Sequence, residues 1–506
     1  MKRSYIRNLL LLVLLPVLLL AGAYHFGPVS FFFSMITLVE VIVLFNILIL
    51  VHELGHFLAA KWCGLKIEKF AIWMGKPLWS KKVDGVEYIL GSIPAGGYVA
   101  LPQMAPMEAL EGKSDTPREE IPPATPGQKI IVAFAGPLFS FALALFFGCI
   151  VWAVGKPVAY SDATTTIGYV LPNNPAEKAG LKAGDKIVSI QGHEIQRFMG
   201  VGNSVIWRII TSTGEKVPFV VERDGKVETF QVEPQADIEK EHHWWQRTPN
   251  RKVGIGPADK EVVIKKLLAD SPAEVAGLKP KDRILSIDGQ PIYTSMAIQF
   301  WLKDHKDPVT FKIVRDGQEK EIVVPRFLPV VPKELPDGIN PTYLLGIAEC
   351  ENWVTLAYPS PFLQVRESVD AVTNTISALV TPGSNVGASQ LSGPVGIMNI
   401  FFVVLSSENG WRLALWLAVL INVNLAILNM FPLPVLDGGH ITLSIIEWIR
   451  QRPLSMKILE PLQTGCAMLL IGYMIYITFF DLQDTGRMAS TWNGELKYAK
   501  PAVATP

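Results

Sequence analysis

The chain has 506 residues, and 46 Lys and Arg balance 46 Asp and Glu, which leaves no basic footprint for nucleic acid. Only 18% of residues are charged and 49% are hydrophobic, and mean hydropathy is positive; an ordinary soluble protein carries about 25% charged residues. The four cysteines, Cys63, Cys149, Cys350 and Cys466, form no CxxC and no regular spacing, which speaks against a disulfide framework or a cysteine-rich metal site.

Residues 1–30 read as an N-terminal signal anchor, because Lys2, Arg3 and Arg7 precede an apolar stretch at 9–23. Ala21-Gly22-Ala23 is the nearest approach to a cleavage site, so removal of the segment is the alternative. Residues 31–60 hold the first core span, whose apolar run at 31–57 exceeds the roughly 20 residues a membrane helix needs. It ends in Leu50-Val51-His52-Glu53-Leu54-Gly55-His56, an HExxH motif. Positions i and i+4 share a helix face. His52 and His56 can therefore present nitrogens to one metal ion, with Glu53 beside them as general base. Ionisable groups at the end of a membrane helix are costly unless they act; the bland alternative is a polar helix end reaching the inner surface. Glu40 lies about 18 Å back along the same helix, too far to touch such a metal. It either lines a wet cavity or extends outward.

Residues 61–128 form an inner loop with a membrane-associated β-hairpin. Residues 86–90 and 98–101 read as its strands, around the run Pro94-Ala95-Gly96-Gly97-Tyr98-Val99. A free strand edge can take up an extended peptide backbone by strand addition. That nominates Gly96, Gly97 and Tyr98 as substrate contacts; a hairpin that merely covers the inner face is the other reading. Residues 104–128, rich in proline and charge, read as a mobile loop. The second core span occupies 129–155, apolar over 130–154.

The next segment contains a repeat. Pro175-Ala176-Glu177-Lys178-Ala179-Gly180-Leu181-Lys182 returns as Pro272-Ala273-Glu274-Val275-Ala276-Gly277-Leu278-Lys279. Asp185-Lys186-Ile187-Val188-Ser189-Ile190-Gln191-Gly192 returns as Asp282-Arg283-Ile284-Leu285-Ser286-Ile287-Asp288-Gly289. The turns Arg223-Asp224-Gly225 and Arg315-Asp316-Gly317 follow, each flanked by β-rich residues. Two copies are too few for a solenoid and read as two small domains, at 163–236 and 252–330. The pattern resembles PDZ domains, which add peptide ends to a sheet edge; capture of peptide ligands and a steric filter are both open. Between the copies, His242-His243-Trp244-Trp245 either anchors at a membrane interface or packs the linker, since adjacent histidines alone build no metal cage. Residues 331–410 read as a linker and pre-span segment.

The third core span, 411–440, is apolar over 411–428 and ends Asn429-Met430-Phe431-Pro432-Leu433-Pro434-Val435-Leu436-Asp437-Gly438-Gly439-His440. Two prolines break the helix, and Asp-Gly-Gly can turn Asp437 inward as a third metal ligand; His440 competes for that place. A fourth core span follows at 458–480, then a tail at 481–506. Basic residues set the direction. Lys2, Arg3 and Arg7, the loop with Lys61, Lys66, Lys69, Lys76, Lys81 and Lys82, and the loop with Arg450, Arg452 and Lys457 all fit the inside. Residues 155–410 and the C-terminus then lie outside, and His52, His56 and Asp437 all lie toward the inner face.

HELGH in a membrane span, together with Asn429 to Gly438 in the form N-x-x-P-x-P-x-L-D-G, resembles the site-2 protease family of intramembrane metalloproteases. The likeness covers nearly the whole chain, through residues 94–99, Ala135-Gly136-Pro137 and Ser392-Gly393-Pro394-Val395-Gly396-Ile397. It implies Zn2+ held by His52, His56 and Asp437, Glu53 as base, and Asn429 as a contact to the substrate or its unwound backbone. It implies a single-pass transmembrane substrate already trimmed outside, such as an anti-sigma factor or a remnant signal peptide. It also implies a bacterial inner membrane, with the PDZ-like domains periplasmic or extracellular. The family often has asparagine a few residues after the Gly-Pro of the second span, where this chain has Ser140 and Phe141; the front segment is a second departure. The expected fold is a multi-span α-helical membrane protein with a membrane-associated β-loop and two inserted PDZ-like α+β domains. The rival function is a catalytically silent, membrane-anchored PDZ scaffold, which the four intact metal and base positions disfavour.

Overall fold

The computed structural model describes residues 28–104, 122–236, 247, 249–304, 308–325, 345–452 and 454–489. The signal anchor at 9–23, most of the loop at 104–128, residues 242–245 and most of the tail lie outside the described residues. The chain divides into two compact units. The first takes in the chain up to Lys156, Tyr358–Val369 and Ser392–Asp481; the second takes in Pro157–Ala357, Asp370–Leu391 and the chain from Leu482.

The first unit is a helical membrane core. Among the described residues five segments are long and apolar enough to cross a membrane: Phe32–Trp62, Pro126–Val154, Ala388–Leu405, Gly410–Asn429 and Leu459–Asp484. Four match the expected core spans. The fifth falls where a linker was expected, because Gly393-Pro394 interrupts its apolar run. Its α-helix, Pro394–Leu405, has 12 residues. That is about 18 Å of rise, short of the roughly 30 Å hydrocarbon core.

Helix α1 (Pro28–Trp62) packs against α2 (Pro126–Val154), which also meets α4 (Gly410–Asn429) and α5 (Asp437–Arg450). Small residues make this close packing possible. Ala133, Ala135, Gly136, Ser140, Ala144 and Gly148 are buried on α2, and a Cβ at Gly55 of α1 would lie 2.5 Å from the Ala135 carbonyl oxygen. Lipid tails give helices no hydrophobic reason to associate, so backbone approach through small residues carries the packing. A capping box starts α2: Thr125 Oγ1 accepts from the Gln128 N–H, and Gln128 Oε1 accepts from the Thr125 N–H. Gln128 Nε2 also donates to the Cys63 carbonyl at 3.0 Å, tying the start of α2 to the end of α1.

Helix α3 (Pro394–Leu405) is capped from the last helix, α6 (Met456–Ala489). Asp481 is 3% exposed and accepts the N–H groups of Gly393 and Gly396 at 3.0 and 2.8 Å. A Cβ on Gly396 would come within 2.7 Å of that carboxylate.

A four-stranded sheet follows α1, built from β1 (Lys69–Met74), β2 (Trp79–Val83), β3 (Val86–Leu90) and β4 (Ile93–Ala100) in the order β2-β3-β1-β4. β3 runs parallel to β1 and β4 antiparallel to it. The expected hairpin of 86–90 with 98–101 is thus replaced by two strands on opposite sides of β1. Gly91 allows the crossing: its N–H reaches the Ile72 carbonyl at 2.9 Å, and a Cβ there would lie 2.3 Å from the Met74 carbonyl oxygen. Among the described residues β4 lies at the edge of the sheet. Phe57, Leu65, Ile67, Phe70, Val99 and Val132 pack the sheet onto the helices.

The second unit carries the repeat, and each copy buries its own core. Ile167, Leu181, Ile187, Phe198, Phe219 and Val221 belong to the first, and Ile264, Leu278, Ile284, Ile298, Phe311 and Ile313 to the second. Alternate residues of Val217–Arg223 and Val309–Arg315 point inward, the period of a strand. The first core extends to Val253 and Ile255 and the second to Leu345 and Ile347. Each copy is therefore completed by chain from beyond its hairpin.

One clasp recurs in both copies. Arg223 Nε and Nη2 each donate to Asp185 at 2.6 Å, and Nη2 donates to the Gly180 carbonyl at 2.8 Å. Arg315 makes the same bonds to Asp282 at 2.6 Å and to the Gly277 carbonyl at 2.7 Å. Asp185 and Asp282 also accept the N–H groups of Lys182 and Lys279, both at 2.8 Å. Hydrogen bonding to Asp185 raises the Arg223 guanidinium further above its ordinary range.

Candidate metal centre

The HExxH segment lies in the last three turns of α1, so His52 and His56 emerge on one face. Their Nε2 atoms are 3.2 Å apart. Asp437, first residue of α5, places Oδ2 3.2 Å from His52 Nε2 and Oδ1 3.4 Å from His56 Nε2. The two glycines after Asp437 make this possible. A Cβ on Gly438 would lie 2.2 Å from the Met430 carbonyl oxygen, and one on Gly439 1.9 Å from that of Leu433. The proline-broken end of α4 can therefore fold back against the start of α5.

The outer ring nitrogens decide where the lone pairs point. His56 Nδ1 lies 2.8 Å from the Val132 carbonyl oxygen, which can only accept, so Nδ1 carries the hydrogen and Nε2 is left as an acceptor. Asn429 Nδ2 donates to His52 Nε2 at 3.3 Å, which leaves His52 Nδ1–H to donate to Ser140 Oγ at 2.9 Å. Two lone pairs and a carboxylate thus converge, and the buried Asp437 Oδ2 has no hydrogen-bond partner. Such an arrangement is repulsive until a cation joins it. Ligand atoms around a tetrahedral ion with bonds of about 2.0–2.1 Å stand about 3.3 Å apart, close to the separations here. Among the described residues this is the group of His, Cys, Asp and Glu side chains suited to a metal ion. The helix backbone forms one wall: a Cβ on Gly136 of α2 would lie 2.2 Å from His56 Nε2.

A cavity of about 240 Å³ opens on the cluster, lined also by Glu53, Gly97, Tyr98, Asn429 and His440. β4 passes directly over Glu53, since a Cβ on Gly97 would lie 3.2 Å from Glu53 Cγ. Gly96 stands back from the cavity with φ +76°, against the Met74 side chain. His440 lines the cavity, but the converging ligand atoms are those of His52, His56 and Asp437. Glu40 is exposed on α1, away from the cavity lining.

Sequence reasoning missed two partners. Ser140, fully buried, holds His52 at a position noted only for lacking the family's asparagine. The Val132 carbonyl, which holds His56, is backbone and leaves no residue-type signal.

The profile of "Peptidase family M50" matches residues 40–472. The chain is 29% identical over 445 residues to "Regulator of sigma E protease" of Salmonella typhi, covering 82% of this chain and 92% of that protein. It is 27% identical over 443 residues to "Regulator of sigma-E protease RseP" of Escherichia coli strain K12, covering 83% and 92%. It is 29% identical over 456 residues to a "Putative zinc metalloprotease" of Treponema pallidum, covering 85% and 95%. With the match running from α1 into α6 over most of the chain, the chain belongs to peptidase family M50 and is a zinc-dependent intramembrane metalloendopeptidase.

Proposed function

We propose that His52, His56 and Asp437 hold the zinc ion and that Glu53 is the general base that cleaves single-pass transmembrane substrates within the bilayer. The observation that carries this reading is the convergence of three acceptor atoms, one without a hydrogen-bond partner, in a cavity shared with Glu53. A zinc ion held there supplies Lewis acidity toward the scissile carbonyl and toward water. Glu53 takes the proton of the attacking water and passes it to the leaving amine. Asn429 offers its amide to the substrate carbonyl or to its unwound backbone. Val132 and Ser140 hold the two imidazoles in the tautomer that faces the cavity.

The outer edge of β4, at Gly96, Gly97 and Tyr98, receives the unwound substrate by strand addition. Its position over Glu53 supports this. We further infer that the substrate is first trimmed outside, as an anti-sigma factor or a remnant signal peptide would be. The bacterial relatives named for sigma-E regulation support a substrate of the anti-sigma type, and the five apolar segments support a place in a membrane, read here as the inner one. The two repeats are PDZ-like domains on the periplasmic or extracellular side, and they reject substrates with bulky outer domains. Support comes from their paired cores and from a cavity of about 590 Å³ between them, bordered by Tyr169, Tyr293, Phe300 and Trp301.

The deciding experiment compares wild type with Glu53→Gln, both purified in detergent and given a single-pass helix with a short outer stub. The wild type is expected to cut; the variant is expected to hold zinc equally and lose at least about 100-fold in rate. Equal cutting by both would remove Glu53 from the chemistry. Fusing a folded domain to the stub is expected to stop cleavage, and unimpaired cleavage would refute the filter.

A further inference from the structure

Trp73 has a backbone that tryptophan rarely adopts, with φ +70° in the left-handed region. The sheet is irregular at the same place. Ile72 pairs with Gly97 and Met74 with Ile93, so Pro94, Ala95 and Gly96 of β4 stand opposite the single residue Trp73. Bulges of this kind re-aim a strand and gather beside functional sites.

Helix α1 holds Trp73 in this conformation. Its indole Nε1–H donates to Asn46 Oδ1 at 2.5 Å. Asn46 Nδ2 donates to the Ile42 carbonyl of its own helix at 2.7 Å, which fixes the amide with its acceptor toward the indole. This bond lies on the membrane-spanning part of α1, where an unpaired amide or indole is costly. The next residue, Met74, reaches across to the bulge: a Cβ on Gly96 would meet Met74 Cε at 3.0 Å. Asn46, Ile49 and Glu53 share one face of α1, and Gly97 rests on the last two, with its Cβ position 3.6 Å from Ile49 Cγ2 and 3.2 Å from Glu53 Cγ.

We propose that Asn46 and Trp73 are a positioning pair that sets the register of the outer edge of β4 against Glu53, and so selects which peptide bond is cut. The proposal rests on the reading that substrate adds to β4. Neither residue touches a reacting atom; they act through Met74, Gly96 and Gly97.

The test uses the full-length enzyme in detergent and a synthetic single-pass peptide, with products mapped by mass spectrometry. Trp73→Phe removes the donor and keeps a ring, and Asn46→Ala removes the acceptor. The two halves are tested independently, so a folding defect in one, read as lost zinc, leaves the other to decide. Each is expected to lower kcat about tenfold, because misplacement by about 1 Å costs up to about 100-fold. KM should stay within about twofold for a binding edge that is displaced rather than lost. Each should also move or spread the cut by one or two residues, and the double variant should do no more than either single one. A wild-type cut site in both variants, at whatever rate, overturns the proposal. The same peptide with N-methylated amides around the cut tests the underlying reading. If wild type cuts it as well as the unmethylated peptide, strand addition fails. If methylation blocks cutting and both variants keep the wild-type cut site, strand addition stands and the positioning pair fails.

Discussion

Three aspartates are held close by opposite charge or imidazole, and they are treated in two ways. Asp185 and Asp282, 2% and 1% exposed, are saturated: each takes two bonds from an arginine and one from a backbone N–H. Asp437 faces two imidazole nitrogens that are themselves acceptors, and its Oδ2 has no hydrogen-bond partner. Saturated carboxylates are satisfied by the fold and serve it. A carboxylate left short of donors is held ready for something the chain does not supply.

Exchanging one oxygen for an amide at each site separates the two kinds. Asp437→Asn is expected to reduce bound zinc at least about 100-fold and to abolish cleavage, while hydrogen exchange in Val217–Arg223 and Val309–Arg315 stays at the wild-type rate. Retained zinc would show that Asp437 is not a ligand. Asp185→Asn should do the reverse. Breaking a buried, bidentate pair costs about 3 kcal/mol, so amides of Val217–Arg223 should exchange roughly 100-fold faster with zinc content unchanged. Asp282→Asn should reproduce this in Val309–Arg315 alone, and equal acceleration of both strands would mean that the copies do not unfold separately. The mildest change is Ser140→Ala, which leaves His52 Nδ1–H without its partner. Zinc affinity should fall about tenfold, at the low end for loss of a partner behind a ligand, and an unchanged affinity would show that Ser140 does not orient the ring.

What the sequence revealed follows the range of the interactions involved. The spacing of His52 and His56 is a property of one helix turn, and the prolines and glycines around Asp437 bend the chain locally, so both were readable from neighbours. Asp185 and Arg223 each stood out in the repeat, but their pairing joins residues 38 positions apart, which no local pattern encodes. The strand at 86–90 was visible as a strand, yet its parallel partner is β1 rather than β4. Gly91 lets the chain cross close over Met74, a contact that no local strand pattern specifies. The helix Pro394–Leu405 escaped notice because Gly393-Pro394 splits its apolar run, and the reason for that split lies on another helix, at Asp481.

That last contact has a consequence for how the protein is made. The N–H groups of Gly393 and Gly396 at the start of Pro394–Leu405 have no acceptor within their own helix, and the one they use is 88 and 85 residues further along the chain. Until the final helix has been made, those two N–H groups lack the acceptor they use in the folded protein. The helix with His52 and His56 is synthesised early in the chain and Asp437 on α5 much later. A chain cut short before Asp481 would carry His52, Glu53, His56 and Asp437, and would still lack the acceptor for the start of Pro394–Leu405.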